Sequence, residues 1–108
     1  MSQCHWVYVT VGSVEQAHDI AHAVVEAQLA AGVNILPGAT SVYRWKGEIQ
    51  RADEAVAIFK TTAACLDALI ARVTAMHSYE CPCVVALPIA SGNPDYLTWI
   101  GEQTATVS

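Results

Sequence analysis

The sequence predicts a single α+β domain, in which an antiparallel four-stranded sheet carries two helices on one face and a further helix follows. Three observations predict it. Segments rich in β-branched and aromatic residues alternate with helical patterns in the order β-α-β-β-α-β. A chain of 108 residues leaves room for one compact domain, spanning residues 1–108. An Asn-Pro pair near the end is typical of one more helix start.

The first strand and the first helix follow directly from local patterns. Residues 5–12 are a run of β-branched and aromatic residues closed by a glycine, which is typical of a strand. Ser13 and Gln16 have the spacing of a capping box, and Gly32 suits a left-handed helix end, so we expect a helix between them. The positions that recur at helical spacing are Ala17, Ile20, Ala21, Val24 and Gln28 or Leu29.

The middle of the chain has the pattern of a hairpin. Residues 33–49 are extended in character and contain Pro37-Gly38 as a turn or bulge signal, which predicts one long bent strand or two short ones. The chain can turn at residues 46–48. Residues 55–59 are apolar throughout, as in a strand that is buried on both faces.

A helix, a strand and a final helix complete the domain. Thr61 or Thr62 is expected to cap the second helix. Residues 84–87 predict the fourth strand. Asn93 then caps the last helix, with Pro94 at its first position, where a missing N–H costs nothing. The apolar face of the second helix is expected to consist of Leu66, Leu69, Ile70, Val73 and Met76 or His77.

This order of elements is the split-βαβ or ferredoxin-like arrangement. Two helices cover only one face of such a sheet. The chain is 54% hydrophobic and only 14% charged, which is more apolar surface than so small a domain normally hides. A long edge strand is also open to pairing with a neighbour. We therefore expect other copies to cover the bare face, as a homotrimer around a threefold axis.

Composition excludes several classes of partner. A net charge of −5 gives no electrostatic footprint for nucleic acid or anionic lipid. No apolar run is long enough to span a membrane, and no secretory signal precedes the first strand, so a cytoplasmic location is expected. In that reducing compartment, the four cysteines are expected to be free thiols or metal ligands.

Six segments between residues 33 and 100 carry a family resemblance: 33–38 (VNILPG), 40–45 (TSVYRW), 60–61 (KT), 77–82 (HSYECP), 86–89 (ALPI) and 92–100 (GNPDYLTWI). In this order they resemble the CutA divalent-cation-tolerance proteins. The resemblance implies a ferredoxin-like fold, an interlocked homotrimer and a role in the response to copper or other divalent ions. It also implies a PII-like assembly, in which ligands bind in clefts between subunits.

Cys81 and Cys83 are the strongest candidates for metal ligands. In an extended Cys-x-Cys segment both side chains project to the same side. Thiolates select copper(I) and zinc, and His77 could add an imidazole, which gives a predicted set of Cys81, Cys83 and His77. The alternative is two free cysteines at the start of a strand. His18 and His22 also have the spacing to share a metal ion. The alternative is that both lie beside the apolar stripe of the helix, on its solvent-exposed side. No metal is expected to be required for folding.

A second candidate site gathers polar and aromatic side chains. His77, Tyr79, Glu80, Lys60 and Trp45 mix an imidazole, a phenol, a carboxylate and an ammonium that the fold could bring together. Hydrogen-bonded packing between subunits is the alternative. The resemblance implies a cleft between subunits that is lined by the same residues together with three more, which are Asn34, Tyr43 and Trp99.

These sites support three functional hypotheses. The first is a trimeric protein that binds copper or another divalent ion. The second is a PII-like sensor that binds a small anion with Lys60 and His77, and the third is a scaffold for a partner protein whose identity the sequence does not indicate. An enzyme is not expected, because none of the common catalytic motifs is present in the sequence and a Cys81–His77 nucleophile has no orienting third residue.

Overall fold

The computed structural model describes residues 3–105. Within them, the strands are β1 (Cys4–Val11), β2 (Gly32–Trp45), β3 (Glu48–Thr62) and β4 (Val84–Pro88), and the α-helices are α1 (Val14–Glu26), α2 (Leu66–Met76) and α3 (Pro94–Gln103). The strands lie in the order β2-β3-β1-β4, and every neighbouring pair is antiparallel. The predicted α+β, ferredoxin-like fold with an extra C-terminal helix is therefore confirmed.

The main core lies between one face of the sheet and the helices α1 and α2. Alternate residues of β1 point to this face, so Val7, Val9 and Val11 are buried while the residues between them face away. Phe59 on β3 is fully buried in the same core. Helical periodicity supplies the opposing layer, which consists of Ala17, Ile20, Val24, Leu69 and Val73.

The opposite face of the sheet is covered at one end by α3, whose Leu97 and Ile100 pack in a cluster with Cys4, and is open over the rest of the single chain. Trp6 lies opposite Leu87 in the ladder between β1 and β4, and Tyr8 lies opposite Val85. Trp6 is 43% exposed and Leu87 is 47% exposed. Val85 is 50% exposed as well, so apolar side chains of neighbouring cross-strand pairs are accessible on this face.

Strands β2 and β3 form a long hairpin around a tight turn. Lys46 and Gly47 both have positive φ, at 50° and 82°, which is the backbone of a two-residue type I′ turn. A bulge between Leu36 and Ala39 bends β2 where the Pro-Gly pair predicted it. Residues 33–45 are thus one long bent strand. β3 begins at Glu48, earlier than predicted, because the tight turn keeps its polar first half paired with β2.

The predicted end of the first helix is wrong. α1 ends at Glu26, and Gln28 takes the left-handed conformation at φ 59° instead of Gly32. The backbone N–H of Ala31 then donates to the carbonyl of Lys60 at 2.8 Å, which ties the chain to β3. Gly32 is the first residue of β2. The sequence contains no glycine at 28 to mark the actual reversal.

The predicted cap of the second helix is also wrong, whereas two other caps are confirmed. Thr61 and Thr62 end β3, and the Thr61 hydroxyl donates to the carbonyl of Leu29 at 2.7 Å. A 3-10 turn, Ala63–Cys65, separates them from α2. The Ser13 and Asn93 side chains do accept helix N–H groups, as predicted. No helix within residues 3–105 is long and apolar enough to cross a membrane.

Candidate functional site

A cavity of about 510 Å³ lies on the open side of the sheet, next to the β2–β3 hairpin. β1 and β3 contribute Thr10 and Glu54 to its wall, and β2 contributes alternate residues that share one face. The segment between α2 and β4 closes the other side. The complete lining is Thr10, Ser41, Tyr43, Trp45, Glu54, Tyr79, Glu80, Cys81 and Cys83.

Tyr79 and Glu54 form the polar centre of the cavity wall. The Tyr79 hydroxyl donates to Oε2 of Glu54 at 2.8 Å. Burial of the phenol, its hydrogen bond to Glu54 and the charge of Glu54 together raise the pKa of Tyr79 to about 12, and burial is the largest of these causes. The phenol therefore keeps its proton at neutral pH and remains a donor to the carboxylate.

His77 positions Tyr79. Its Nε2 lies 2.7 Å from the carbonyl oxygen of Thr10, and its Nδ1 accepts the backbone N–H of Tyr79 at 3.1 Å. Because a carbonyl oxygen can only accept, Nε2 carries the proton and Nδ1 does not. The imidazole ring also packs on the Tyr79 ring, with 4.6 Å between centroids. His77 is buried, so it links the end of β1 to the cavity segment.

The predicted cleft residues are divided between two places in the single chain. Tyr43, Trp45, Tyr79 and Glu80 line the cavity together. Of the other predicted cleft residues, His77 packs against Tyr79 without lining the cavity. The other three lie elsewhere: Asn34, Lys60 and Trp99.

Lys60 and Asn34 lie at the far end of the open face. The Lys60 ammonium donates to Oδ1 of Asn34, and burial lowers the pKa of Lys60. From Glu54 to Lys60 the strand rises about 20 Å, so one chain cannot bring both to one small ligand. Trp99 lies on α3 and stacks on Tyr96 at 5.4 Å between centroids.

The predicted thiol pair lies on the cavity wall. Cys81 and Cys83 are both free and exposed, whereas Cys4 and Cys65 are buried in the fold. Both ring nitrogens of His77 are engaged with backbone groups, so the imidazole would have to release one of them to bind a metal. Among residues 3–105, no group of three or more His, Cys, Asp or Glu side chains is positioned to hold a metal ion. The set of Cys81, Cys83 and His77 stays a prediction.

The histidine pair on α1 lies apart from this cavity. His18 and His22 are exposed on the helix surface. Nε2 of His22 lies 3.2 Å from a carboxylate oxygen of Glu26, one turn further along. Both histidines therefore lie on the solvent-exposed side of α1, where His22 and Glu26 form an i,i+4 pair.

Glu54 is the charged residue of the cavity wall that was not among the predicted site residues; Thr10 and Ser41 were not predicted either. Glu54 directly precedes the apolar run 55–59, which was predicted as the whole of the third strand. In the structure β3 extends back to Glu48, and Glu54 lies on the face opposite to Ala55. The strand alternation, continued from Ala57 and Ala55, could have placed this carboxylate on the open face.

Comparison with known proteins identifies the family. The family model described as CutA1 divalent ion tolerance protein matches residues 5–103. The divalent-cation tolerance protein CutA of Thermus thermophilus is 51% identical over 98 residues, which cover 91% of this chain and 95% of that protein. Mouse protein CutA is 44% identical over 101 residues, or 94% of this chain, which spans only 57% of the mouse protein.

Solved structures agree with this comparison. The Thermus thermophilus divalent cation tolerance protein superposes with a TM-score of 0.91 at 49% identity, covering 94% of this chain and 99% of that one. CutA1 from Oryza sativa superposes with a TM-score of 0.94 at 42% identity, covering 98% of this chain and 97% of the other. The resemblance found in the sequence is thereby confirmed. This chain belongs to the CutA1 divalent ion tolerance protein family.

Proposed function

We propose that this protein is a homotrimeric divalent-cation-tolerance protein that binds copper or another thiophilic metal ion through Cys81 and Cys83. The observation that carries the proposal is that both thiols are free, exposed and on the wall of one cavity. Relatives named for divalent-cation tolerance support the link to metal ions. The ion is the cargo of the protein and plays no part in folding, since the core between sheet and helices is formed by apolar side chains.

The donor set favours a soft ion. Two thiolates suit copper(I) and also zinc, whereas magnesium and calcium require oxygen ligands. Deprotonation of the exposed thiols accompanies binding, so uptake is expected to strengthen as pH rises. His77 is the proposed third ligand, and it would exchange its contact with Thr10 or Tyr79 for the metal.

Calorimetric titration of the whole chain with copper(I), copper(II) and zinc tests this proposal. The wild type is compared with a Cys81→Ser, Cys83→Ser double variant. A His18→Ala, His22→Ala double variant is the matched control, because it removes the other pair of candidate ligands from an exposed helix surface. We expect the cysteine variant alone to lose binding. Unchanged binding in that variant contradicts the proposal.

The homotrimer is proposed from the open face of the sheet. The helix α3 covers only the end of this face next to Cys4. Apolar side chains on or beside the rest of it are exposed, namely Trp6, Leu36, Val85 and Leu87. Leu87→Asp places a charge in this surface and is expected to dissociate the assembly. Sedimentation equilibrium measures the mass of both proteins. A stable wild-type monomer at micromolar concentration contradicts the proposal.

A PII-like ligand site is the second candidate, and Lys60 favours it. Its ammonium is buried on the open face, and no salt bridge to it occurs within residues 3–105. In a trimer, a neighbouring chain would bring further side chains to this cation, which suits a small anionic ligand. Thermal-shift measurements with nucleotides are expected to give a stabilising hit that Lys60→Gln removes. If no anion stabilises the wild type, this candidate is eliminated.

We propose a binding function and not catalysis. The ring nitrogens of His77 contact backbone groups and not Cys81. A cytoplasmic location is proposed on the same thiols, because exposed free cysteines persist in a reducing compartment. Assays for thiol-dependent hydrolysis test the absence of catalysis, and hydrolytic activity would contradict it. Labelling of the thiols in intact cells tests the location, and an oxidised pair would contradict it.

A further inference from the structure

We propose that Cys81 and Cys83 also form a reversible disulfide with each other, so that the pair is a redox-controlled modification site. Formation of the disulfide is independent of metal binding. Its consequence for the metal ion rests on the proposed function, because the same two thiols are the proposed ligands. Both sulfurs belong to one chain, so closure of the bond does not depend on which copies cover the open face of the sheet.

Local geometry brings the two cysteines within the range of a disulfide. In an extended segment both side chains project to the same side, and Cα atoms two residues apart are separated by about 6.6 Å. Disulfides join Cα atoms that are about 4.4–6.8 Å apart. Between Met76 and Val84 the chain follows no helix or strand, and it bends at residues 78–81. This segment can therefore adjust to close the bond while the ladder between β1 and β4 stays intact.

The two buried cysteines differ from this pair. The Cys65 thiol is fully buried and donates to the carbonyl of Ala105 at 3.4 Å. Burial raises the pKa of the Cys4 thiol, which disfavours the thiolate that reacts with oxidants. Within residues 3–105, neither Cys81 nor Cys83 has a hydrogen bond that holds its thiol. Oxidation is therefore expected at the pair and not at the buried thiols.

The oxidant is a low-molecular-weight disulfide such as glutathione disulfide. The thiolate of one cysteine attacks a sulfur of the oxidant, which forms a mixed disulfide and releases one glutathione thiolate. The thiolate of the second cysteine then attacks the sulfur of the first, which forms the bond between Cys81 and Cys83 and releases the second glutathione. The pair loses two electrons and two protons, and one molecule of oxidant becomes two thiols.

The small ring favours reopening of the disulfide. Only Pro82 lies between the two cysteines, and its fixed φ limits how the backbone can adapt, so ring closure stores strain. Strained disulfides have more oxidising potentials than structural ones and are the labile ones. The pair is therefore reduced in a reducing compartment and closes when the oxidant accumulates. Because the thiolate is the metal ligand, closure removes both proposed ligands at once.

Mass spectrometry of the assembled protein tests the disulfide. The whole protein, with its assembly state measured by sedimentation, is incubated with glutathione disulfide and then with excess reduced glutathione. We expect the wild type to lose the mass of two hydrogen atoms and then to regain it, within the peptide that contains both cysteines. Cys81→Ser and Cys83→Ser are each expected to retain one glutathione as a mixed disulfide instead. The Cys81→Ser, Cys83→Ser double variant is expected to stay unmodified, because Cys4 and Cys65 are buried.

The outcomes separate the disulfide from the metal proposal. Titration with copper(I) and zinc is expected to show binding by the reduced wild type, loss of binding after oxidation and recovery after reduction. If the reduced protein binds no metal, the proposed function fails, whereas the mass measurement still decides whether the disulfide forms. The inference is overturned if the folded, assembled protein forms no bond between Cys81 and Cys83, or if excess glutathione does not reopen it. Unchanged metal affinity after oxidation would overturn the regulation of metal binding.

Discussion

Replacement of Tyr79 by phenylalanine tests the polar centre of the cavity. The substitution removes the hydroxyl that donates to Glu54 at 2.8 Å and leaves a buried carboxylate without that donor. A hydrogen bond to a charged group contributes about 1.5–3 kcal/mol when buried. Tyr79 is 37% exposed, so solvent screening reduces the expected loss of unfolding free energy to about 1–2 kcal/mol at pH 7.

The raised pKa of Tyr79 also predicts how the free energy of unfolding depends on pH. A pKa that rises from 10.0 to about 12 corresponds to about 2.7 kcal/mol for a fully buried phenol. At the observed exposure, screening reduces this contribution to about 1 kcal/mol. Because the folded-state pKa lies above the unfolded one, the contribution is fully present below about pH 10 and is lost as the pH rises towards 12.

Urea unfolding at pH 7 and pH 11 measures both effects. The wild type is expected to lose more stability between the two pH values than Tyr79→Phe, and the difference isolates this phenol from the other groups that titrate. Tyr96→Phe is the control, because Tyr96 lies on α3 and stacks on Trp99 away from the cavity. If Tyr79→Phe behaves like this control at both pH values, the assigned hydrogen bond does not stabilise the fold.

Three further predictions address the fold and the thiols. Phe59→Ala is expected to cost about 3–5 kcal/mol in urea unfolding, since Phe59 is fully buried between sheet and helices, and a cost below about 1 kcal/mol would contradict that core. Gly47→Ala is expected to lower the free energy of unfolding by about 1 kcal/mol, because Gly47 has a φ of 82°. Gly101→Ala on α3 is expected to raise it by about 0.5–1 kcal/mol, because a Cβ meets open space there. Changes of equal sign would contradict the turn geometry. The Cys81→Ser, Cys83→Ser variant is expected to unfold within about 0.5 kcal/mol of the wild type, because both thiols are exposed; a larger loss would indicate a structural role.

The fold could be predicted because local patterns and global arrangement agree. The apolar alternation of β1, the caps at Ser13 and Asn93 and the bulge in β2 are all local signals, and each is confirmed. The end of α1 was predicted wrongly because Gln28 takes a left-handed conformation, which a glycine would normally mark in a sequence. That reversal is held by the bond between Ala31 and Lys60, which are far apart in sequence.

The site was predicted less completely than the fold. Four of the cavity residues were in the predicted cleft, because aromatic and titratable side chains stand out in a sequence. Lys60 was grouped with them although the strand carries it to the other end of the open face. Glu54 was missed, since its importance depends on burial and on the Tyr79 hydroxyl, and both arise from tertiary packing.

One measurement tests the central proposal most directly: a crystal structure of the protein soaked with copper or zinc, with anomalous scattering recorded at the absorption edge of the metal. We expect a peak between the Sγ atoms of Cys81 and Cys83 on the cavity wall, in every copy of the chain. A peak at His18 and His22 with no peak at the two thiols would contradict the proposal that this cavity binds the metal ion.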